Sequence, residues 1–418
     1  MIPFKDLSPQ QVSALDLMAK RIEAGEPESR LFGYAGTGKT SIAEHIALRV
    51  SQLSGQTLFA AFTGKAASVL TSKGCPATTI HSLIYLPTGD KQGEIDKLTE
   101  KYEALEDVTT DLAFELSAAI EELEQLKHKP GFVLNPGSEL AFADLLIVDE
   151  VSMVDRNLAN DLLAFGVPII ALGDPAQLPP VGSGGYFTKG GESVADAMLT
   201  DVRRQAEGGD IIELATVVRN TRELPRGNSQ VYKKISRSGA MEADQILVGK
   251  NATRWSKNLK MRKLLGRDGE VLAKNEKIIC LENNKNLKCM NGQMFIVQET
   301  RESKHNGLIE ALLICDCDGF DPSHPTCDLC KWVPKWMPLH IGGFLSEGEE
   351  SRLKVMPYGK KQAAMYATYG YAITVHKAQG SEWKNVLLFD ESAVFRKDGW
   401  RWLYTGITRA SEGLVVVS

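Results

Sequence analysis

Two short stretches carry residue types that can act on phosphate. Gly33-Tyr34-Ala35-Gly36-Thr37-Gly38-Lys39-Thr40 sets a lysine and a hydroxyl directly behind three glycines, and Leu145-Leu146-Ile147-Val148-Asp149-Glu150 ends an apolar run in two adjacent carboxylates. The first matches the Walker A pattern, in which backbone amides of the glycine-rich turn and of the following helix N-terminus point at phosphate oxygens. Gly36, Thr37, Gly38 and Ser41 are the expected cradle, Lys39 is expected to hold the β and γ phosphates, and Thr40 to ligate Mg²⁺. In the second, Asp149 is expected in the Mg²⁺ shell and Glu150 to orient and deprotonate the attacking water. Taken singly, the first is also a glycine turn with a chance Lys-Thr, and the second also two acids capping a helix. Together they point to ATP and Mg²⁺.

That chemistry needs a strand before the loop and a helix after it. Residues 29–32 read as the strand, and Ile42, Ile46, Ala47 and Val50 recur at helical spacing. The uninterrupted apolar run before Asp149 suits a central parallel strand. Residues 168–172 form a third such strand, ending in Gly173-Asp174-Pro175-Ala176-Gln177-Leu178-Pro179-Pro180-Val181.

The bulk numbers fit this reading. A chain of 418 residues with 43% hydrophobic residues can bury several cores. The first residues lack the basic-then-apolar pattern of a signal peptide, and no apolar run approaches the roughly 20 residues of a membrane span; the expected place is the cytoplasm, or the host cytoplasm for a viral chain. A net charge of −5 gives no general support for nucleic acid, although a sliding motor needs only a local basic track. Seven cysteines without a regular framework suggest free thiols or a metal site before disulfides.

At the loop from Gly173 to Val181 a family becomes recognisable. The sequence resembles the superfamily 1B helicases of the RecD-like and Dda-like type, with motifs in that family's order over nearly the whole chain. Leu7-Ser8-Pro9-Gln10-Gln11 resembles the Q motif, so Gln11 is expected to read the adenine edge. Ala61-Phe62-Thr63-Gly64-Lys65-Ala66-Ala67 and Thr79-Ile80-His81-Ser82 resemble motifs Ia and Ib, which implies strand binding by Phe62, Thr63, Lys65 and His81, with Phe62 also readable as plain core. Within motifs II and III, Gln177 would sense the γ phosphate. Leu199 to Gln205 resembles motif IV, making Arg204 an arginine finger with Arg203 the competing choice. Trp402 to Ala410 matches motif VI, with Arg409 the second finger; arginine suits both because the transition state spreads negative charge over several oxygens. Tyr371 to Trp383 resembles motif V: Thr374, His376 and Lys377 would grip the strand, and Gln379, Gly380 and Glu382 would face the nucleotide. Residues 245–249 read as a strand, followed by Asn251 and Arg254 in a locally basic segment that resembles a DNA-contacting motif, with a solvated helix face as the alternative.

The expected architecture is α/β: two RecA-like P-loop cores with two inserted subdomains and ATP in the cleft between the cores. Core 1A would take residues 1–86 plus 137–198, a helical 1B insert with a strand-splitting pin 87–136, core 2A residues 199–282 plus 368–418, and a small SH3-like 2B insert 283–367. Leu98, Tyr102, Leu105, Leu112, Leu116, Ile120 and Leu123 set the helical pattern of the first insert, whose wedge is expected near Gly89 or within residues 127–135. The second departs from the family in carrying Cys315, Cys317, Cys327 and Cys330, a candidate Zn²⁺ set with His324 or His340 in reserve, provided the chain turns at Cys-x-Cys.

The function implied is an ATP-dependent helicase moving 5′ to 3′ on single-stranded DNA, in replication, recombination or repair. Partners would be single strands, single/double-strand junctions and single-strand-binding or replisome proteins; no membrane is expected, and the protein is expected to act as a monomer. Motifs running from one end of the chain to the other suggest a stand-alone motor. The rivals are an RNA helicase or protein-stripping translocase, a P-loop ATPase remodelling protein clients, and a binding protein with decayed catalysis.

Overall fold

The computed structural model describes residues 3–51, 56–87, 132–180, 184–201, 209–225, 227–228, 230–232, 234–284, 286–316, 327, 332–354 and 363–418. The first part of the chain supplies β1 (Glu28–Gly33), β2 (Thr57–Ala61), β3 (Ala77–Thr79), β4 (Tyr85–Pro87), β5 (Phe132–Leu134), β6 (Leu145–Asp149), β7 (Ile169–Gly173) and β8 (Ala197–Leu199). Six of these form one parallel sheet in the order β3-β2-β6-β7-β1-β8, while β4 and β5 pair antiparallel beside it. Leu145, Leu146, Ile147 and Val148 are all fully buried, which explains an apolar run without alternation: both faces of β6 are covered. Burial of such side chains contributes about 1.5–3 kcal/mol each.

Helix α1 (Pro9–Glu23) starts on a capping box between Ser8 and Gln11 with Pro9 in its first position, where the missing N–H costs nothing. Helix α2 (Lys39–Ser51) follows β1 across the glycine loop, and α3 (Gly64–Ser72) starts at Thr63, whose hydroxyl accepts the Ala66 N–H. Since parallel strands all point one way, Gly33, Asp149 and Gly173 emerge at the same sheet edge, on the neighbouring strands β1, β6 and β7. That carboxyl edge is where open α/β sheets bind ligands.

After α4 (Gly209–Thr221) come β9 (Val231–Tyr232), β10 (Gln245–Val248) and α5 (Asn251–Leu264). The strands β11 (Lys277–Cys280), β12 (Met294–Glu302), β13 (Leu308–Cys315), β14 (Lys335–His340) and β15 (Ala367–Tyr369) make an antiparallel sheet in the order β14-β13-β12-β11-β15, carrying α6 (Glu347–Lys354) between its last two strands. This sheet draws in Lys277 to Cys280 and Thr368 to Tyr369, beyond both ends of the expected 283–367 insertion. The chain then crosses within two residues into β16 (Ala372–Thr374), continues to β17 (Trp383–Phe389), α7 (Gly399–Ile407) and β18 (Ala410–Val417), and closes a second parallel sheet in the order β16-β10-β17-β18-β9. The two parallel sheets are joined by one apolar cluster in which Tyr34, Ala176 and Leu178 of the first pack with Trp402, Leu403, Tyr404 and Ile407 of the second.

Residues 88–131 lie outside the described residues, and with them the expected helical pattern of the first insert and Gly89. Arg203, Arg204, Cys317, His324 and Cys330 also lie outside them. Among the described residues no helix is long and apolar enough to cross a membrane.

Candidate nucleotide cleft and strand site

A cleft of about 620 Å³ opens where the two parallel sheets face each other. Gly36, Gly38, Lys39, Thr40, Ser41, Asp149, Glu150 and Gln177 line it from the first core, and Gly380, Glu382 and Arg409 from the second. The loop reaches its shape because Gly36 and Gly38 adopt φ of 80° and 81°, a region that costs a side chain but not glycine. At Gly38 a Cβ would also stand 2.6 Å from the Gln11 amide nitrogen.

Lys39 donates to the Gly33 and Tyr34 carbonyls, 2.6 and 3.0 Å away. The Thr40 hydroxyl donates to Asp149 Oδ2 at 3.1 Å, and Asp149 Oδ1 accepts the Glu150 N–H at 2.8 Å. Glu150 sits in left-handed backbone, φ 55° and ψ 42°, a conformation that strains an ordinary side chain and recurs at functional positions. Burial, then the neighbouring Asp149 carboxylate, raise its pKa above the usual carboxylate range, against the opposing pull of Arg409 and Lys39. The Arg409 guanidinium is held by its own core, donating to Thr405 O, Ser381 O and Thr408 Oγ1.

These groups fit a magnesium nucleotide. A lysine, a hydroxyl and a carboxylate line the same cleft, and the buried Gln177 side-chain oxygen on its wall has no hydrogen-bond partner among the described residues. A buried polar atom left so is costly unless a ligand or water completes it.

The chain matches the family model described as an AAA domain over residues 6–240, more than half its length, and that of the UvrD-like helicase C-terminal domain over 369–417. It is 30% identical over 229 residues to the ATP-dependent DNA helicase dda of Enterobacteria phage T4, covering 52% of this chain and 43% of that protein. It is 26% identical to the ATP-dependent RecD2 DNA helicase of Deinococcus radiodurans, covering 98% of this chain and 48% of that protein. The chain belongs to helicase superfamily 1B. It spans about half the length of the curated relatives it matches. A Bacteroides Pif1 helicase crystallised with ADP-AlF3 and single-stranded DNA has the same fold, with a TM-score of 0.54 and 18% identity over 99% of this chain and 92% of that one.

Within this superfamily 1B chain, the structure gathers four of the expected strand-binding residues at a second cavity of about 330 Å³, where Asn251, Arg254, Thr374 and Lys377 meet Glu282, Glu350 and Tyr366. Lys377 is bound to Asn291 Oδ1, and burial, with the charge of Arg254, lowers its pKa to about 8. Phe62 and His81 lie edge to face, 6.0 Å between ring centroids, on the side of the first core near β4.

Several expectations place differently. The Gln11 amide braces the glycine loop: its nitrogen donates to Thr37 O at 3.1 Å and its oxygen accepts the Ser8 N–H. Gln379 is not among the cleft-lining residues; its amide donates across the core boundary to Leu178 O at 2.9 Å. Lys65 lines the nucleotide cleft rather than the second cavity. Arg254 is paired with Glu350 through both carboxylate oxygens, at 2.7 and 2.8 Å. His376 packs against the Phe395 ring. Thr63 touches the other core, since a Cβ on Gly380 would stand 3.0 Å from its hydroxyl.

The zinc set is not supported. Cys315 and Cys327 are both buried in the apolar core of the antiparallel sheet, the other two cysteines lie outside the described residues, and among the described residues no three metal-binding side chains converge. The Cys280 and Cys289 thiols lie 3.7 Å apart. Met290 and Asn291, on the loop that follows Cys289, line the nucleotide cleft; no local pattern singled them out.

Proposed function

We propose that this chain is an ATP-dependent DNA helicase that translocates on single-stranded DNA, 5′ to 3′, by closing two RecA-like cores, 1A and 2A, around ATP. The observation that carries this reading is the cleft itself: Lys39, Thr40, Asp149 and Glu150 on one core face Arg409 on the other. An ATPase with both halves of its site on separate cores can convert nucleotide state into core separation. The relatives named above as DNA helicases, and the Pif1 neighbour solved with single-stranded DNA, support the choice of DNA.

Bound magnesium ATP supplies the phosphoanhydride whose cleavage drives the cycle. Lys39 leaves its two carbonyl partners to balance phosphate charge, and Thr40 and Asp149 are the residues that would hold Mg²⁺. Glu150 takes the proton of the attacking water on its carboxylate, for which a raised pKa makes it the stronger base. Arg409 turns its Nη1 from the Ser381 carbonyl to phosphate oxygens while its Nε stays on the Thr405 carbonyl, and Arg204 is assigned the second such role. Asn251, Arg254, Thr374 and Lys377 hold the strand backbone on the second core; Phe62, Thr63 and His81 hold it on the first. Cleavage releases the arginine contacts and lets the two grips move relative to each other.

Steady-state ATP hydrolysis with and without oligo-dT or an RNA oligomer, for wild type and Glu150→Gln, with unwinding of 5′- and 3′-tailed duplexes, tests this. The expected result is hydrolysis stimulated by DNA, lost in the variant, with unwinding of the 5′-tailed duplex alone. Hydrolysis indifferent to nucleic acid removes the helicase reading; unwinding from the 3′ tail removes the polarity.

A further inference from the structure

Helix α7 reaches across the core boundary with one hydroxyl. The Tyr404 ring is buried in the apolar cluster that joins the two cores, and its oxygen reaches the first core. There it donates to Asp174 Oδ2 at 2.7 Å and accepts the Ala35 N–H at 3.1 Å. Ala35 belongs to the glycine loop and lines the nucleotide cleft. Asp174 is 1% exposed and opens the turn that carries Gln177, its other carboxylate oxygen accepting the Ala176 N–H at 2.9 Å.

The adjacent residue repeats the contact. Thr405 Oγ1 accepts the Leu178 N–H at 3.0 Å, while Gln379 donates to Leu178 O, so both backbone groups of the residue after Gln177 are held by the second core. The Thr405 carbonyl in turn accepts from Arg409 Nε at 3.0 Å. One turn of helix thus connects the phosphate loop, the Gln177 turn and Arg409 through hydrogen bonds alone. Among the described residues the Tyr404 hydroxyl is the one side-chain donor to the buried Asp174 Oδ2, so deleting it leaves that oxygen without its partner.

We propose that Tyr404 is a positioning residue, whose hydroxyl keeps the glycine loop and the Asp174 turn in register with the helix that delivers Arg409. This rests on the functional reading above. It predicts that the hydroxyl acts on turnover rather than on nucleotide capture, since Lys39, Thr40 and Asp149 are placed by the first core without it. Neither Tyr404 nor Thr405 needs to touch the nucleotide for this.

The test is ATP hydrolysis with saturating oligo-dT for wild type, Tyr404→Phe, Thr405→Val and Thr405→Ser, each with its melting temperature. Tyr404→Phe keeps the ring and deletes one oxygen. The expected result is a fall in kcat of about tenfold with KM for ATP changed less than about threefold, the pattern of an interaction realised in the transition state. Thr405→Val should fall in the same way and Thr405→Ser should recover most of the rate. Unchanged kcat in Tyr404→Phe overturns the proposal, as does a rise in KM with kcat intact, or a loss that disappears on cooling in step with a lowered melting temperature. Wild-type hydrolysis that ignores DNA would instead sink the helicase reading, which separates the two failures.

Discussion

The Thr40 hydroxyl lies 3.1 Å from Asp149 Oδ2, joining the first turn of α2 to the last residue of β6 across the sheet edge. A hydroxyl and a carboxylate side by side would hold one small hard cation once the hydroxyl turns its proton away. Asp149→Asn removes the charge and keeps the shape. Hydrolysis at saturating Mg²⁺ is expected to fall by about a hundredfold or more, the scale of losing a metal's contribution to charge stabilisation. Titration calorimetry with ADP, with and without Mg²⁺, checks the cause: the metal-dependent gain in affinity should shrink in the variant, and a full gain would sink the assignment.

Glu150 makes two opposite predictions in one substitution. Its folded pKa lies above the usual carboxylate range, mainly through burial and then through Asp149. The stability this group contributes is therefore fully present below the unfolded carboxylate value and lost as pH rises through the folded value. At neutral pH the charged form is a cost that Gln does not carry. Glu150→Gln should abolish hydrolysis while melting at a higher temperature than wild type at pH 7.5, the difference closing near pH 4. In wild type, the acid limb of kcat should lie at higher pH than an ordinary carboxylate gives. A variant that melts lower at pH 7.5 would contradict this account.

What was legible in the chain follows the range of the interactions. The glycine loop, β6 and β7 are specified by a few consecutive residues, so the strands and the carboxylates at their ends read directly from pattern. Gln379 and Arg254 sit in equally recognisable stretches, yet their partners, Leu178 and Glu350, lie far away in sequence on other elements. A motif says which side chain is present; the fold decides whether it is already engaged. Cys280 and Cys289 show the same thing: nine residues apart, they carry no local pattern, and β11 and its returning loop bring their thiols to 3.7 Å.

The Arg254 and Glu350 side chains are 8% and 5% exposed, so their ion pair is buried. Arg254 Nε and Nη1 have no hydrogen-bond partner among the described residues, and Glu350 accepts as well from the Thr368 hydroxyl at 3.2 Å. Removing one member strands the other in a poorly solvated site. Arg254→Ala is expected to cost about 3–5 kcal/mol of stability, measured by urea unfolding. Arg254→Met with Glu350→Leu should recover most of that loss and still bind single-stranded DNA more weakly than wild type. Equal stability of the single variant and wild type would mean the pair is solvated.

Lys377 stands between the strand cavity and the nucleotide cleft, bound to Asn291 of the cleft wall and lining the cavity with Arg254. Its pKa is lowered to about 8, first by burial and then by Arg254, so its charge is lost as pH rises through that value. Backbone neutralisation dominates single-strand affinity, and each cation lost flattens the salt dependence. Affinity for oligo-dT by fluorescence anisotropy should therefore weaken between pH 7 and 9, with a salt slope shallower by nearly one phosphate contact at the upper end. Lys377→Arg holds its charge over that range and should bind with nearly the same affinity at both pH values. If wild type and variant show the same pH dependence, Lys377 does not contact the strand, and Arg254 and Thr374 must account for the grip on this core.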